Sequence, residues 1–242
     1  MSSVNFKSTR ATQAATPITH SGGPVVTGTS VLGIKYKDGV MLAADCLASY
    51  GSLARFRDVD RLQPVGEHTV VGASGDIGDF QYVQDLLEKS MIHEFYTADG
   101  HALATPHIYS YLSRLMYQRR SQMNPLWNSY LVGGLNDSGE PFLGYIDLIG
   151  TTYQSSTIAT GFGAYLAQPI LRKAVEGREN EITEEEAIKI IDDCMRVLFY
   201  RDARSLNKFR RAKVTKEGVT VTEPYSLTTE WGFAENIIGY GA

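Results

Sequence analysis

Residues 27–45 constrain the fold of this chain more than any other stretch. Leu32, Ile34 and Tyr36 alternate with Gly33 and Lys35, Asp38-Gly39 is a turn signal, and Val40 to Ala44 form a second apolar run. Two such runs around a two-residue turn specify a β-hairpin. Thr29 opens it and Asp45 closes it. A hairpin alone is commonplace and names no function. Thr29 still carries a particular chemistry. If the chain were cut between Gly28 and Thr29, one residue would hold both a hydroxyl nucleophile and a free α-amine able to take its proton. Gly28 leaves that bond uncrowded.

The rest of the chain alternates strand and helix signals. Residues 1 to about 24 are rich in Ser, Thr, Gly and Ala, too poor in apolar surface to order themselves, and read as a disordered tail or a removable pro-segment. Gly51 to Phe56 reads as a polar connection. Val59–Val65 and Thr69–Ala73 read as short strands around a turn at Gly66-Glu67. Asp76 can cap a helix with Ile77, Phe80, Val83, Leu86, Leu87 and Met91 on one face. Thr105-Pro106 reads as N-cap and first position of a second helix bearing Ile108, Leu112, Leu115 and Met116. Strands return at Tyr130–Leu135 and Pro141–Leu148. Helical signals follow over Ala164–Glu176 and after Thr183, whose Thr-Glu-Glu-Glu run is a capping box. A last hairpin spans about Lys208 to Thr222 with its turn at Glu217-Gly218.

This order fits an α+β domain in which two antiparallel sheets stack and helices cover their outer faces. With 242 residues, of which 43% are hydrophobic, the chain can bury the core of one sizeable domain. A net charge of −4 and a pI near 5.8 give no electrostatic reason to expect nucleic acid or an anionic membrane as partner. Cys46 and Cys194 are too few for a disulfide framework, which favours cytoplasm or nucleus, and both read as free buried thiols. No apolar run approaches a membrane span, and no signal-peptide h-region is present.

Gly28-Thr29-Ser30 followed by Gly39-Val40-Met41-Leu42-Ala43-Ala44-Asp45 resembles the mature N-terminus of beta-type subunits of the 20S proteasome, members of the N-terminal-nucleophile hydrolase superfamily. The resemblance continues through Gly72-Ala73-Ser74-Gly75-Asp76, Ala159-Thr160-Gly161-Phe162-Gly163-Ala164 and Tyr200-Arg201-Asp202-Ala203-Arg204-Ser205, and so spans nearly the whole chain. Tyr50–Phe56 and Met123–Asn128 resemble one non-proteolytic member in particular. The resemblance implies a four-layer αββα sandwich over residues 29–222, a pro-segment and flexible extension over 1–28, and a C-terminal interaction arm over 223–242. It further implies pro-segment cleavage between His20 and Ser21 by a neighbouring active subunit.

The family's threonine peptidases need the nucleophile, its free amine, a lysine, an aspartate that holds the lysine, and hydroxyls that fix the amine. Thr29 and Asp45 match, and the glycine matching Gly75 offers its N–H to the oxyanion. Arg61 stands where the lysine belongs; it keeps the charge but does not release its proton, and its planar fork does not fill the place of a compact ammonium. Phe162 replaces a hydroxyl residue with a ring that neither donates nor accepts. Asp202 and Ser205 match the last pair of the pattern, but Leu206 and Asn207 stand where glycines usually follow.

Two readings of different class follow: a non-catalytic structural subunit with a vestigial site, and an active N-terminal threonine endopeptidase. Arg61 and Phe162 favour the first, which needs no cofactor and no metal. The implied partners are the other alpha and beta subunits of a four-ring, 28-subunit assembly for ubiquitin-dependent protein degradation in cytoplasm and nucleus. Trp231, Phe233, Ile237, Ile238 and Tyr240 on the arm are expected to meet the opposite beta ring through aromatic anchors. The alternative is that Trp231 and Phe233 fold back on their own domain.

Overall fold

The computed structural model describes residues 22–97, 103–232 and 234. The opening hairpin forms as expected from β2 (Val31–Tyr36) and β3 (Gly39–Asp45). Tyr36 pairs with Gly39, so its turn is Lys37-Asp38, one residue earlier than Asp38-Gly39 suggests. Ahead of it lies β1 (Val26–Gly28), a strand where the sequence led us to place a flexible extension. Gly51–Phe56 is a turn and a strand rather than a plain connection: β4 (Ala48–Tyr50) and β5 (Leu53–Phe56) make a second hairpin. Then come β6 (Leu62–Val65), β7 (Thr69–Asp76), α1 (Ile77–Thr97) and α2 (Thr105–Ser121).

The Asp76 carboxylate accepts from Asp79 N–H at 3.1 Å, the expected cap on α1. Thr105 is not the N-cap of α2; Ala104 is. The Thr105 hydroxyl is buried and shared with Thr69 at 2.8 Å, pinning the helix start to β7. His107 Nδ1 instead accepts the Ala104 N–H at 3.2 Å.

The second half continues with β8 (Asn128–Leu135), β9 (Pro141–Ile146) and the short strands β10 (Thr152–Gln154) and β11 (Thr157–Ala159), which carry no distinct sequence signal. The helical signal over 164–176 resolves into α3 (Gly163–Leu166) and α4 (Gln168–Val175). Next is α5 (Glu184–Arg201), capped by the Thr183 hydroxyl accepting from Glu186 N–H. β12 (Phe209–Thr215) and β13 (Gly218–Val221) form the last hairpin, and Thr215 pairs with Gly218, so its turn is Lys216-Glu217.

Among the described residues, one sheet runs β10-β9-β8-β7-β1-β4-β5 with β6 also on β7, and the other runs β11-β2-β3-β12-β13. Alternation along β3 explains how these stack. Val40, Leu42 and Ala44 meet Val70, Leu131 and Leu143 of the other sheet, while Met41 and Ala43 turn outward to Leu171, Ile191 and Leu198 of α4 and α5. A strand buried on both faces is apolar at every position, which is why Val40–Ala44 is a continuous run. On the far side, Phe80, Val83, Ile108, Leu112 and Met116 of α1 and α2 cover Val71, Tyr130 and Val132. The result is the expected α+β architecture of four layers, helix, sheet, sheet, helix. Each fully buried Leu or Val in it contributes about 1.5–3 kcal/mol relative to exposure. No helix among the described residues is long and apolar enough to cross a membrane.

Candidate functional site

The expected site residues sit at element ends that meet at one edge of the sandwich. Thr29 directly follows β1, Asp45 ends β3, Gly75 lies at the end of β7, Phe162 precedes α3, and Asp202 terminates α5. A cleft of about 300 Å3 is lined by Thr29, Gly75, Phe162, Asp202 and Arg204, among others. Asp45 and Arg61 lie buried beneath it.

Arg61 is 1% exposed, and every one of its N–H donors is taken. Nε donates to the Asp45 carbonyl at 3.0 Å, Nη1 to the carbonyls of Thr29 at 2.8 Å and Ala73 at 3.0 Å, and Nη2 to the Ser30 carbonyl at 3.0 Å. The last Nη2 donor meets Asp45 Oδ1 in a short ion pair. A guanidinium has five N–H donors and no acceptor, so nothing remains for the Thr29 hydroxyl. Burial pushes the Asp45 carboxyl up from its ordinary value, against the pull of Arg61 and of the Leu206 N–H, which reaches Oδ2 at 3.0 Å. Removing one member of such a pair costs about 3–5 kcal/mol, because the other charge stays buried without a partner.

Thr29 donates its hydroxyl to Asp202 Oδ2 at 2.6 Å, and Asp202 Oδ1 accepts the Arg204 N–H at 2.9 Å. While the chain is uncut ahead of it, the Thr29 nitrogen following β1 is a peptide nitrogen. Its lone pair is delocalised into the carbonyl and cannot serve as a base. Gly28, opposite, packs on Arg61 so closely that a Cβ there would lie 2.4 Å from Arg61 Cδ.

Gly75 holds φ +94, and a Cβ on it would strike the Trp127 carbonyl at 2.1 Å, so only glycine fits. Its backbone faces Gly28 of β1 on one side and Asn128 of β8 on the other. Phe162 is 56% exposed at the rim of the cleft. Its loop is anchored by the Gly163 N–H, which donates to Ser30 Oγ at 2.9 Å. Ser205 does not join the cleft lining; its hydroxyl bonds the Asp202 carbonyl at 2.7 Å, closing the end of α5.

Other residues shape the site without an individual sequence signal. Ser30 supplies both a carbonyl to Arg61 and a hydroxyl to the Phe162 loop. The Asn128 side-chain amide donates to the carbonyls of Ser74 at 3.1 Å and Asp76 at 2.7 Å, fixing the bend around Gly75. Asn128 appears in the sequence only as the last residue of the Met123–Asn128 resemblance, with no role attached. His20, Ser21, Phe233, Ile237, Ile238 and Tyr240 lie outside the described residues. Trp231, the remaining arm residue, lies edge-on to Tyr200 and Phe199 of its own α5, with centroids 5.0 and 6.1 Å away.

Comparison with known proteins agrees with this geometry. Residues 25–214 match the family described as "Proteasome subunit". The chain is 51% identical over 226 residues to "Proteasome subunit beta type-4" of Xenopus laevis, covering 93% of each. It is 52% identical to "Probable proteasome subunit beta type-7" of Schizosaccharomyces pombe, covering 93% of this chain and 87% of the relative. It is 48% identical to "Proteasome subunit beta type-7" of Saccharomyces cerevisiae, covering 96% and 90%. A sandwich of two antiparallel sheets between helices, a threonine–aspartate–arginine cluster at its edge and a family match across most of its length together place this chain in the proteasome subunit family.

Proposed function

We propose that the chain is a non-catalytic beta-type subunit of the proteasome core, close in kind to the relatives named beta type-4 and beta type-7. The observation that carries this reading is Arg61, whose five donors are spent on backbone carbonyls and Asp45, leaving Thr29 without a cation at its hydroxyl. Phe162 adds to it, since no hydroxyl stands there to hold an α-amine. On this reading the chain contributes surface rather than chemistry. It assembles with other alpha and beta subunits into a four-ring, 28-subunit particle for ubiquitin-dependent protein degradation in cytoplasm and nucleus. Its pro-segment is removed near His20-Ser21 by a neighbouring subunit, and residues beyond Leu227 reach the opposite beta ring.

Thr29→Ala in the assembled particle tests the silent site. Total hydrolysis of fluorogenic peptides of every specificity class is expected to match the unsubstituted particle. Loss of any one class, with normal particle yield, contradicts the proposal.

A further inference from the structure

We propose that the side chain of Asn207 is the last rung of the β11-β2-β3-β12-β13 sheet, a clasp that holds residues 222–227 on this domain and fixes the chain at Leu227. This role is independent of the silent site and of whatever the residues beyond Leu227 contact.

The rungs can be followed one by one. β13 ends its ladder on β12 with Val221 opposite Ala212, and the Thr222 N–H continues it by donating to the Arg211 carbonyl at 2.8 Å. The stretch Glu223-Pro224 then takes up one extra residue, as a bulge does. Pro224 has no N–H to give a ladder, and it falls where none is needed. Pairing resumes at Tyr225, opposite Phe209, with backbone bonds in both directions of 2.8 and 2.9 Å.

The next rung sets Leu227 opposite Asn207, which lies just ahead of β12. Here the side-chain amide makes the pair. Asn207 Nδ2 donates to the Leu227 carbonyl at 2.9 Å, and Oδ1 accepts the Leu227 N–H at 2.9 Å. A primary amide carries the donor and acceptor of a peptide group, so it can extend a ladder by one more pair. The Ser226 hydroxyl adds a bond to the Asn207 carbonyl at 2.8 Å.

Both neighbours of Asn207 are themselves fixed, which presents the amide in place and keeps the cost of ordering it small. The Leu206 N–H donates to Asp45 Oδ2 at 3.0 Å, and the Lys208 carbonyl accepts the Cys46 N–H at 2.9 Å. The clasped segment also brings apolar surface, since Tyr225 and Leu227 pack against the core cluster that contains Phe209 and Leu198. Asn207 stands where the family pattern usually has glycine, and glycine has no amide side chain to form this rung. That departure therefore has its use at the C-terminal segment rather than at Thr29.

The test uses the full chain in its purified assembly and reads amide hydrogen exchange residue by residue. In the wild type the Leu227 amide should be protected together with those of Phe209 and Tyr225. Asn207→Gly should speed exchange at Leu227 at least about tenfold, with β3 and α5 unchanged. Asn207→Leu, close in volume but without polar atoms, should give the same loss at Leu227; it separates the missing amide from the added freedom of glycine and stands in if the glycine variant does not assemble. An unprotected Leu227 amide in the wild type, or undiminished protection there in either variant, overturns the proposal.

Discussion

Arg61 donates to the carbonyl of Thr29 at 2.8 Å, not to its hydroxyl. A lysine ammonium at this place would be a compact charge with rotatable donors able to share a proton with the nucleophile. The guanidinium instead bridges the backbone of three strand ends and holds its proton throughout. A clamp of this kind accounts for the buried Asp45 and the close contact at Gly28.

Arg61→Met should therefore be severe. It leaves Asp45 buried without its cation and four carbonyls without this donor, at a cost of about 3–5 kcal/mol. A fall of this size appears as a lower thermal midpoint and poor incorporation. Arg61→Lys keeps the charge but offers three donors, and should cost less.

Activity should not return in either case. Arg61→Lys combined with Phe162→Ser should still leave the Thr29 nitrogen in a peptide bond, with several kcal/mol of transition-state stabilisation missing. A fluorogenic peptide assay of the assembly, with the other sites chemically blocked, should stay at background. Measurable turnover dependent on Thr29 would sink this expectation.

Gly28→Ala isolates the packing of β1. The new methyl group meets Arg61 Cδ at 2.4 Å, so the clamp must shift, at about 1–3 kcal/mol. Thermal unfolding should show the loss, and Gly22→Ala, which meets nothing within 4 Å, should show none.

Much of this was legible in the residues, and the failures have physical reasons. The paired runs around Lys37-Asp38 announced β2 and β3, because strands buried on both faces leave long apolar runs. Asp76 and Thr183 marked their helices because side-chain caps are local. Thr105 misled, since its hydroxyl is spent on Thr69 across the fold, and no local rule foresees a tertiary partner. β1, β5, β10 and β11 are three or four residues long, too short for periodicity, and exist because a neighbouring strand offers an edge. Thr29, Asp45 and Arg61 were placed by resemblance; that all five Arg61 donors are consumed could come only from coordinates.

Alkaline pH should weaken the fold through its buried acids. Burial pushes the Cys194 thiol from 9.0 to about 12 and the Tyr36 phenol from 10.0 to about 12. Both are raised in the folded state, so their contribution is fully present below the unfolded values and is lost as pH rises toward 12. Denaturant midpoints should fall across this window, and Cys194→Ala should flatten the decline while lowering stability at pH 7.

The C-terminal arm is expected to act between half-assemblies. Trp231 rests on Tyr200 and Phe199 of α5. Deleting the chain after Leu227 should leave a soluble, incorporated subunit and accumulate half-assemblies on native gels. Normal levels of complete particles would contradict this role.

The N-terminus of the mature chain is decisive, because an α-amine on Thr29 is the one group a threonine peptidase cannot lack. Intact mass measurement of the subunit from purified assemblies should show a chain beginning near Ser21, with β1 and the Gly28–Thr29 bond retained. A mass corresponding to a chain that begins at Thr29 would contradict it.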